Sequence, residues 1–389
     1  MSEQTYYTKK NIGLWQGQDQ PLTHLDIELT ERCNNNCIHC SICRPEGDES
    51  LKKRELPSGA LKDILSQAAG LGALTVRFTG GEPLLRDDFE DIYVSARKLG
   101  MRVILFTNAR LITRRIAELL SRIPPLERIE VSVYGMSGQS YEYVTRAKGS
   151  YKEFLKGVDL LLEYRIPFIV KGSMFSFARH EIDKFEEWAG SIPWMESPPA
   201  LVMLLALRDR RDSDERNALI RSLRMSPEDY LTALSRHRAG YIKETLQFCG
   251  EFIGQRGGQL FTCGAGYSPC LDAYGDLQMC LGLRHPDTVF DMATGSLSNA
   301  LAFFEEKRGT KASDKAYLEK CAVCFLKGLC EQCPARSWSE HGTLDTPVEY
   351  LCDIAHARAR DILLLDEDEK GWQVRNWRER VARSAEKLL

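Results

Sequence analysis

Between residue 23 and about residue 207, short runs rich in β-branched and aliphatic residues alternate with longer stretches whose apolar positions recur every three to four residues. The first pattern is that of strands and the second that of amphipathic helices. Six runs qualify as strands, at 23–29, 75–79, 102–107, 127–134, 167–171 and 200–207, with helix-like segments such as 58–71 and 112–121 between them. Strands alternating with helices build repeated βα units around a parallel sheet. In such folds ligands collect at the C-terminal ends of the strands, where loops carry chemistry without disturbing the packed core. Unusual residues follow the predicted strands here: Thr30-Glu31-Arg32-Cys33, Gly80-Gly81-Glu82-Pro83, Asn108 and Gly135.

The pattern changes after residue 207. Residues 208–258 are charge-rich, opening with Arg208-Asp209-Arg210-Arg211-Asp212, and a helix start is expected at Ser226-Pro227-Glu228, so this stretch reads as a helical connector. From Gln259 onward Gly, Cys and turn residues dominate, and Tyr274-Gly275-Asp276 suggests a hairpin, which places a second domain at 259–360. The tail, 361–389, is charged and compatible with a helix, with Trp372 and Trp377 as packing anchors. Residues 1–22 form an N-terminal extension without the charged-then-apolar order of a secretory signal.

Composition narrows the class without naming a chemistry. The 389 residues are 43% hydrophobic and 28% charged, which is ordinary for a globular protein. A formal net charge of -3 gives no basic field to draw the chain onto nucleic acid or an anionic membrane. The apolar stretches, such as 200–207, fall far short of the ~20 residues a membrane helix needs, so a cytoplasmic protein is expected.

Cysteine usage changes the picture. There are thirteen, an odd number, and in a reducing compartment clustered cysteines serve metal or redox chemistry more often than bridges. Cys33, Cys37, Cys40 and Cys43 crowd near the start, and nine more lie between Cys249 and Cys352. Cys33-x3-Cys37-x2-Cys40 directly follows the first predicted strand, so one loop can fold three thiolates around a single inorganic cluster. A cubane cluster has four irons, and three cysteines leave one iron free for an exogenous molecule. Zinc is the alternative, with His39 or Cys43 as the fourth ligand.

Gly80-Gly81-Glu82-Pro83 lies at the same rim, where paired glycines let backbone approach a ligand and a carboxylate can pair with an ammonium group. Through CNNNCIHC at 33–40 and TGGEP at 79–83 the chain resembles the radical S-adenosylmethionine (radical SAM) family. The resemblance implies an α/β fold, a partial (β/α)6 TIM-like barrel over 23–207, in which the free iron chelates the amino and carboxylate groups of S-adenosylmethionine. Reductive cleavage would then yield a 5'-deoxyadenosyl radical. It further implies that Gly80, Gly81, Glu82 and Pro83 bind the methionyl end, that His39 fills the aromatic position before the third cysteine, and that Ser132 and Arg146 contact the cofactor. For the last two, structural roles stand beside the functional ones: Ser132 as a backbone partner, Arg146 as a surface cation.

The second set reads Cys263-x6-Cys270-x9-Cys280, then Cys321-x2-Cys324-x5-Cys330-x2-Cys333, and finally Cys352. Two close cysteine pairs are also a zinc-ribbon spacing. The array resembles the SPASM extension, a small Cys-rich α+β domain behind the barrel of many radical SAM enzymes, through Gly275-x4-Cys280 and Cys321-x2-Cys324-x5-Cys330. That resemblance implies one auxiliary [4Fe–4S] cluster on Cys263, Cys270, Cys280 and Cys333 and another on Cys321, Cys324, Cys330 and Cys352, three clusters in all. Family members separate the last two close cysteines by three residues; here only Glu331 and Gln332 intervene. In the alternative reading Cys270 is not a ligand, which leaves an open iron on the first auxiliary cluster for substrate or a two-iron centre. Cys43 and Cys249 fit no cluster position, and Cys249 reads as an ordinary buried thiol.

The resemblance also bears on substrate. SPASM-bearing enzymes act largely on peptides or proteins, and the stretch 131–135 continuing through Tyr141 to Gly149-Ser150 looks most like peptide maturases. The implied partners are a peptide or protein substrate and an external electron donor such as flavodoxin or ferredoxin. With 22 residues before the first strand a winged-helix leader-binding module does not fit, so leader recognition falls to a separate protein or the enzyme's own surface. Sulfatase-maturing relatives carry an aspartate directly after the cysteine matched by Cys280; this chain has Leu281, and Asp272 is a substitute base only by speculation. The competing readings are a small-molecule or tetrapyrrole-modifying radical SAM enzyme and an iron–sulfur electron-transfer or metal-binding protein without turnover of S-adenosylmethionine.

Overall fold

The computed structural model describes residues 22–173 and 175–388. Of the N-terminal extension only Leu22 falls among them; it is buried in the core. The strands are β1 (His24–Thr30), β2 (Arg32–Cys33), β3 (Arg44–Pro45), β4 (Thr75–Gly80), β5 (Arg102–Thr107), β6 (Leu126–Val133), β7 (Phe168–Ser173), β8 (Ala200–Val202), β9 (Cys270–Leu271), β10 (Asp276–Gln278) and β11 (Val289–Asp291). Nine of them form one sheet in the order β11-β10-β9-β1-β4-β5-β6-β7-β8, and β2 pairs with β3 separately. From β1 through β8 every pairing in this sheet is parallel, which is the partial TIM-like barrel.

Parallel strands covered on both faces read as continuous apolar runs, as β5 does, whereas β1, β4 and β6 alternate. Leu25, Ile27 and Leu29 of β1, Val76 and Phe78 of β4, Val103 and Leu105 of β5, Ile129 and Val131 of β6, and Phe168 and Val170 of β7 share one core with residues of the surrounding helices, such as Leu61, Tyr93, Leu120 and Phe154. The intervening residues make the opposite, barrel-facing side polar apart from Ile104, Phe106 and Ile169. There Asp26 is held by His24 at 2.6 Å and by Arg77. Glu130 is held by Arg128 and Lys171, and Phe106 lies between the cations of Arg77 and Lys171 at 5.0 and 4.7 Å. Alternation therefore follows from one face meeting helices and the other meeting the barrel interior.

The run at 200–207 forms a strand only to Val202. All eight residues are apolar, so the run carries no period, and the later residues pack instead of pairing: Leu205 and Leu207 join Ile38, Val144, Phe175 and Ile220, and Leu204 joins Tyr230 and Leu351. Three helices follow, Asp214–Ser222, Pro227–Leu234 and Arg238–Phe252. Ser226 caps the second by accepting from Asp229 N, with Pro227 in the first turn, as the sequence signal requires.

The C-terminal part is continuous with the barrel. Strand β9 pairs parallel to β1, with Asp26 opposite Cys270, and antiparallel to β10. The hairpin turn is built by Asp272, whose Oδ1 accepts from Tyr274 N and Asp276 N at 2.9 Å, with Gly275 at φ 106°. A second core joins Leu246 and Cys249 to Phe325, Leu326, Ala359 and Leu364. Trp377 stacks on Phe325 at 6.0 Å and Trp372 meets His356 edge-on at 5.3 Å, so both anchor the tail. No helix among the described residues is long and apolar enough to cross a membrane.

Candidate functional site

The loop after β1 is shaped by its neighbours. Asn36 N and Ile38 N donate to Thr145 O and Val144 O at 2.8 and 3.0 Å, pinning the loop to the end of the helix Gly138–Thr145. Three arginines hold its carbonyl groups and amides. Arg216 donates to Cys37 O at 3.0 Å, Arg208 to Cys40 O and Cys43 O at 3.4 Å, and Arg110 to Asn35 Oδ1 at 2.6 Å. Cys33, Cys37 and Cys40 thereby line one cavity, together with Cys43, Gly80, Gly81, Asn108 and Ser132.

Gly80 and Gly81 form the opposite wall because the backbone of β1 leaves no room for a side chain. A Cβ on Gly80, at φ 114°, would lie 2.2 Å from Thr30 O, and one on Gly81 would lie 2.1 Å from Arg32 O. The same contact is a hydrogen-bonded one: Gly81 N donates to Thr30 O at 2.7 Å and Glu82 N to Arg32 O at 2.9 Å. Glu82 is buried, and Pro83 opens the short turn Pro83–Leu85 that it caps. Its carboxylate accepts from Thr107 Oγ1 at 2.9 Å, Asn108 N at 2.8 Å and Leu84 N at 3.2 Å. Burial nevertheless pushes its carboxyl up to about 7.

The thiols differ from one another. Burial pushes Cys33 and Cys37 up. Cys40 is pushed down, first by a hydrogen bond from Cys43 and then by the Ile42 and Cys43 amides and Arg208, while Cys43 is pushed up by the same contact. His39 packs between Tyr134 and Phe175 at 5.7 and 5.1 Å, with Nε2 3.1 Å from Ser173 Oγ. Its Nδ1 is buried without a partner, and burial lowers the imidazole to about 4, so the ring is neutral near pH 7. A set of three convergent thiols, a close backbone wall and donors on the loop carbonyls fits an iron–sulfur cluster with a small ligand beside it.

Ser132 lines the cavity, and Arg146 lies outside its lining. It follows the helix Gly138–Thr145 in a left-handed conformation, φ 50°, and its side chain is exposed. Asp272 is fully buried, and its second oxygen pairs with Arg210 at 2.7 Å. Both oxygens are thus engaged, one in the turn and one with a cation.

In the C-terminal part Cys321, Cys324, Cys330 and Cys352 line one cavity with Arg256, Lys320 and Lys327. Gly371 closes it, since a Cβ there would lie 2.6 Å from Cys324 Sγ, and Gly371 N donates to His356 Nε2 at 3.0 Å. Cys263 and Cys333 line a second cleft that adjoins the first through Cys330, Arg256 and Lys327, whereas Cys270 lies in the middle of the sheet. Sequence reasoning missed Arg110, Arg208 and Arg216 as loop holders; the charged run at 208–212 was the only local signal.

Residues 27–190 match the family described as the Radical SAM superfamily. They form a radical SAM domain. Curated relatives resemble this part of the chain. An AdoMet-dependent heme synthase of Methanosarcina barkeri is 32% identical over 162 residues, 42% of this chain and 45% of the relative. A probable GTP 3',8-cyclase of Methanocella arvoryzae is 33% identical over 141 residues, 36% and 44% of the two chains. The chain thus spans about half the length of the curated relatives it matches. Among solved structures, anSMEcpe with bound AdoMet superposes at a TM-score of 0.62 with 13% identity, covering 94% of this chain and all of the other. The same protein with AdoMet and Kp18Cys peptide gives 0.58 with 14% identity, covering 87% and 96%. Those superpositions show a shared fold that extends past the radical SAM domain into the C-terminal part.

Proposed function

We propose that the protein binds S-adenosylmethionine and a [4Fe–4S] cluster on Cys33, Cys37 and Cys40, and abstracts hydrogen from a peptide or protein substrate to give an oxidative modification or crosslink. The observation that carries this reading is the meeting of those three thiols with the Gly80-Gly81 backbone in one cavity of the radical SAM domain. When bound, the cluster and cofactor supply a reducing electron and a carbon-centred oxidant for unactivated C–H bonds.

This chain's residues then bind, orient and exclude water. Gly80 and Gly81 admit the methionyl end to main-chain contact, and Glu82 fixes Thr107 and Asn108 beside it. Asn108 Nδ2 donates to Asn34 Oδ1 at 2.8 Å and so orients the loop that carries Cys33. Neutral His39, wedged between aromatic rings, closes the site against water without adding a charge. Two auxiliary clusters in the C-terminal part would store or carry electrons, with an external donor such as flavodoxin or ferredoxin supplying them. A separate leader-binding protein is a further partner if the substrate is a ribosomal precursor.

The fold shared with anSMEcpe, which has been seen with a peptide, supports the peptide class. Similarity to the AdoMet-dependent heme synthase favours a second reading, a tetrapyrrole substrate. Anaerobic incubation with dithionite and S-adenosylmethionine should release 5'-deoxyadenosine, and the Cys33→Ala/Cys37→Ala/Cys40→Ala variant should release none. Candidate peptides and porphyrins, followed by mass spectrometry for a loss of two hydrogens, decide between the substrate classes. Wild-type protein that yields no 5'-deoxyadenosine overturns the whole reading.

A further inference from the structure

The eight cysteines of the C-terminal array do not divide evenly between two sites. The loops that carry three members of the first set touch one another. Gly266 N donates to Met279 O at 2.7 Å, laying the segment after Cys263 along the chain that enters Cys280. A Cβ on Gly282 would lie 3.6 Å from that of Ala335, so the loop leaving Cys280 touches the first turn of the helix Pro334–His341, which Cys333 precedes.

Cys270 is elsewhere. It is wholly buried in β9, between β1 and β10, with Asp26 and Gln278 as its register partners. Its Sγ lies 3.8 Å from Leu271 O, and the charges around it are those of Glu28, Asp26, Arg284 and Arg77. Sharing a face with Asp26, it belongs to the polar interior side of the barrel. Carrying its sulfur to the other three would require breaking the pairing of β9 on both edges, because a one-residue slip only sends the side chain to the opposite face.

We infer that the first auxiliary site consists of Cys263, Cys280 and Cys333, that Cys270 is a barrel-interior thiol, and that a four-iron cluster in this site has one iron free for a small nitrogen, oxygen or carbon donor. The cleft shared by Cys263 and Cys333 gives that donor access; it also holds Arg256, Lys327 and Cys330, the last of which lines the Cys321, Cys324 and Cys352 cavity as well. The inference rests on reading the C-terminal cysteines as iron–sulfur ligands.

The test uses the full chain with the N-terminal cluster removed by Cys33→Ala/Cys37→Ala/Cys40→Ala, so that only auxiliary clusters remain. About eight irons per chain are expected, from two four-iron clusters. Adding Cys270→Ala should leave that number unchanged, whereas adding Cys280→Ala should lower it by about four. Without any change at Cys270, 13C-cyanide should give a 13C hyperfine coupling on one reduced-cluster signal, and that coupling should vanish with Cys280→Ala. Loss of about four irons on Cys270→Ala in otherwise native protein, or no 13C coupling in the Cys270-intact background, overturns the three-thiolate site. About four irons or fewer before any change in the C-terminal array overturns the two-cluster reading itself, and the inference with it.

Discussion

Arg284 and Glu28 form a buried, two-point ion pair that ties the loop after Cys280 to the first barrel strand. Arg284 Nη2 lies 2.7 and 2.6 Å from the two Glu28 oxygens, and both residues are shielded from solvent. Arg284 Nη1 also lies 3.8 and 3.7 Å from Glu31 and Asp272, so one guanidinium faces three carboxylates. The junction between the radical SAM domain and the cysteine-rich part is therefore electrostatic as well as hydrogen-bonded through β9.

Removing only the cation strands those carboxylates. Burial already pushes Glu28 up despite Arg284, which shows how poorly its charge is tolerated. Arg284→Met should cost about 3–5 kcal/mol of stability, read as a lowered melting temperature. Arg284→Met combined with Glu28→Gln should recover part of the loss, because the pair is then replaced rather than broken. A single variant that melts like wild type would mean the pair contributes nothing to the junction.

The Gly81 wall gives a sharper functional prediction. Alanine there meets the Arg32 and Glu31 carbonyl oxygens at 2.1 and 2.7 Å, and both belong to backbone that cannot swing aside. Gly81→Ala should displace the loop carrying Cys33 and lower 5'-deoxyadenosine formation by at least about tenfold, which ~1.4 kcal/mol of misplacement suffices to produce. Iron bound by the C-terminal cysteines should remain. Undiminished cleavage would show that the cofactor does not use this wall.

Much of this was legible before any coordinates, and the parts that were not share a cause. Strands β1, β4 and β6 announce themselves because alternate residues meet helices and barrel interior, whereas the unbroken apolar run at 200–207 has no period from which to tell pairing from packing. Spacing singled out the cysteine loops because their thiols are close in sequence. It could not reveal Arg110, Arg208 and Arg216, which reach the first loop from far along the chain. Nor could spacing separate Cys270 from its neighbours, since a strand thiol and a loop thiol look alike in a list of intervals. Asp272 stood in the sequence only as a speculative base, and the structure places it in the hairpin turn that Tyr274-Gly275-Asp276 signals.

Gly371 offers a test confined to the second auxiliary site. A Cβ on it would lie 2.6 Å from Cys324 Sγ and 2.8 Å from Leu326, so its missing side chain lets the tail pack against both. Gly371→Ala should push the tail off this cavity and reduce bound iron by about four per chain, while 5'-deoxyadenosine formation without peptide persists. An unchanged iron content would mean that the tail does not seal the site.

His39 makes acid sensitivity a property of the active-site loop. Its imidazole is lowered by burial from 6.5 to about 4, so between those values the unfolded chain takes up a proton that the folded chain refuses. The sign follows: stability is unaffected by this residue above about pH 6.5 and falls as pH drops toward 4. The unpartnered Nδ1 gives the incoming proton no acceptor to share it, and the flanking rings of Tyr134 and Phe175 leave little space for water. His39→Phe keeps an aromatic ring in the same cage and removes the titration. Anaerobic melts at pH 7.5 and pH 5 should therefore show a smaller drop for His39→Phe than for wild type, by about 2 kcal/mol. Equal drops would place the acid response in some other group.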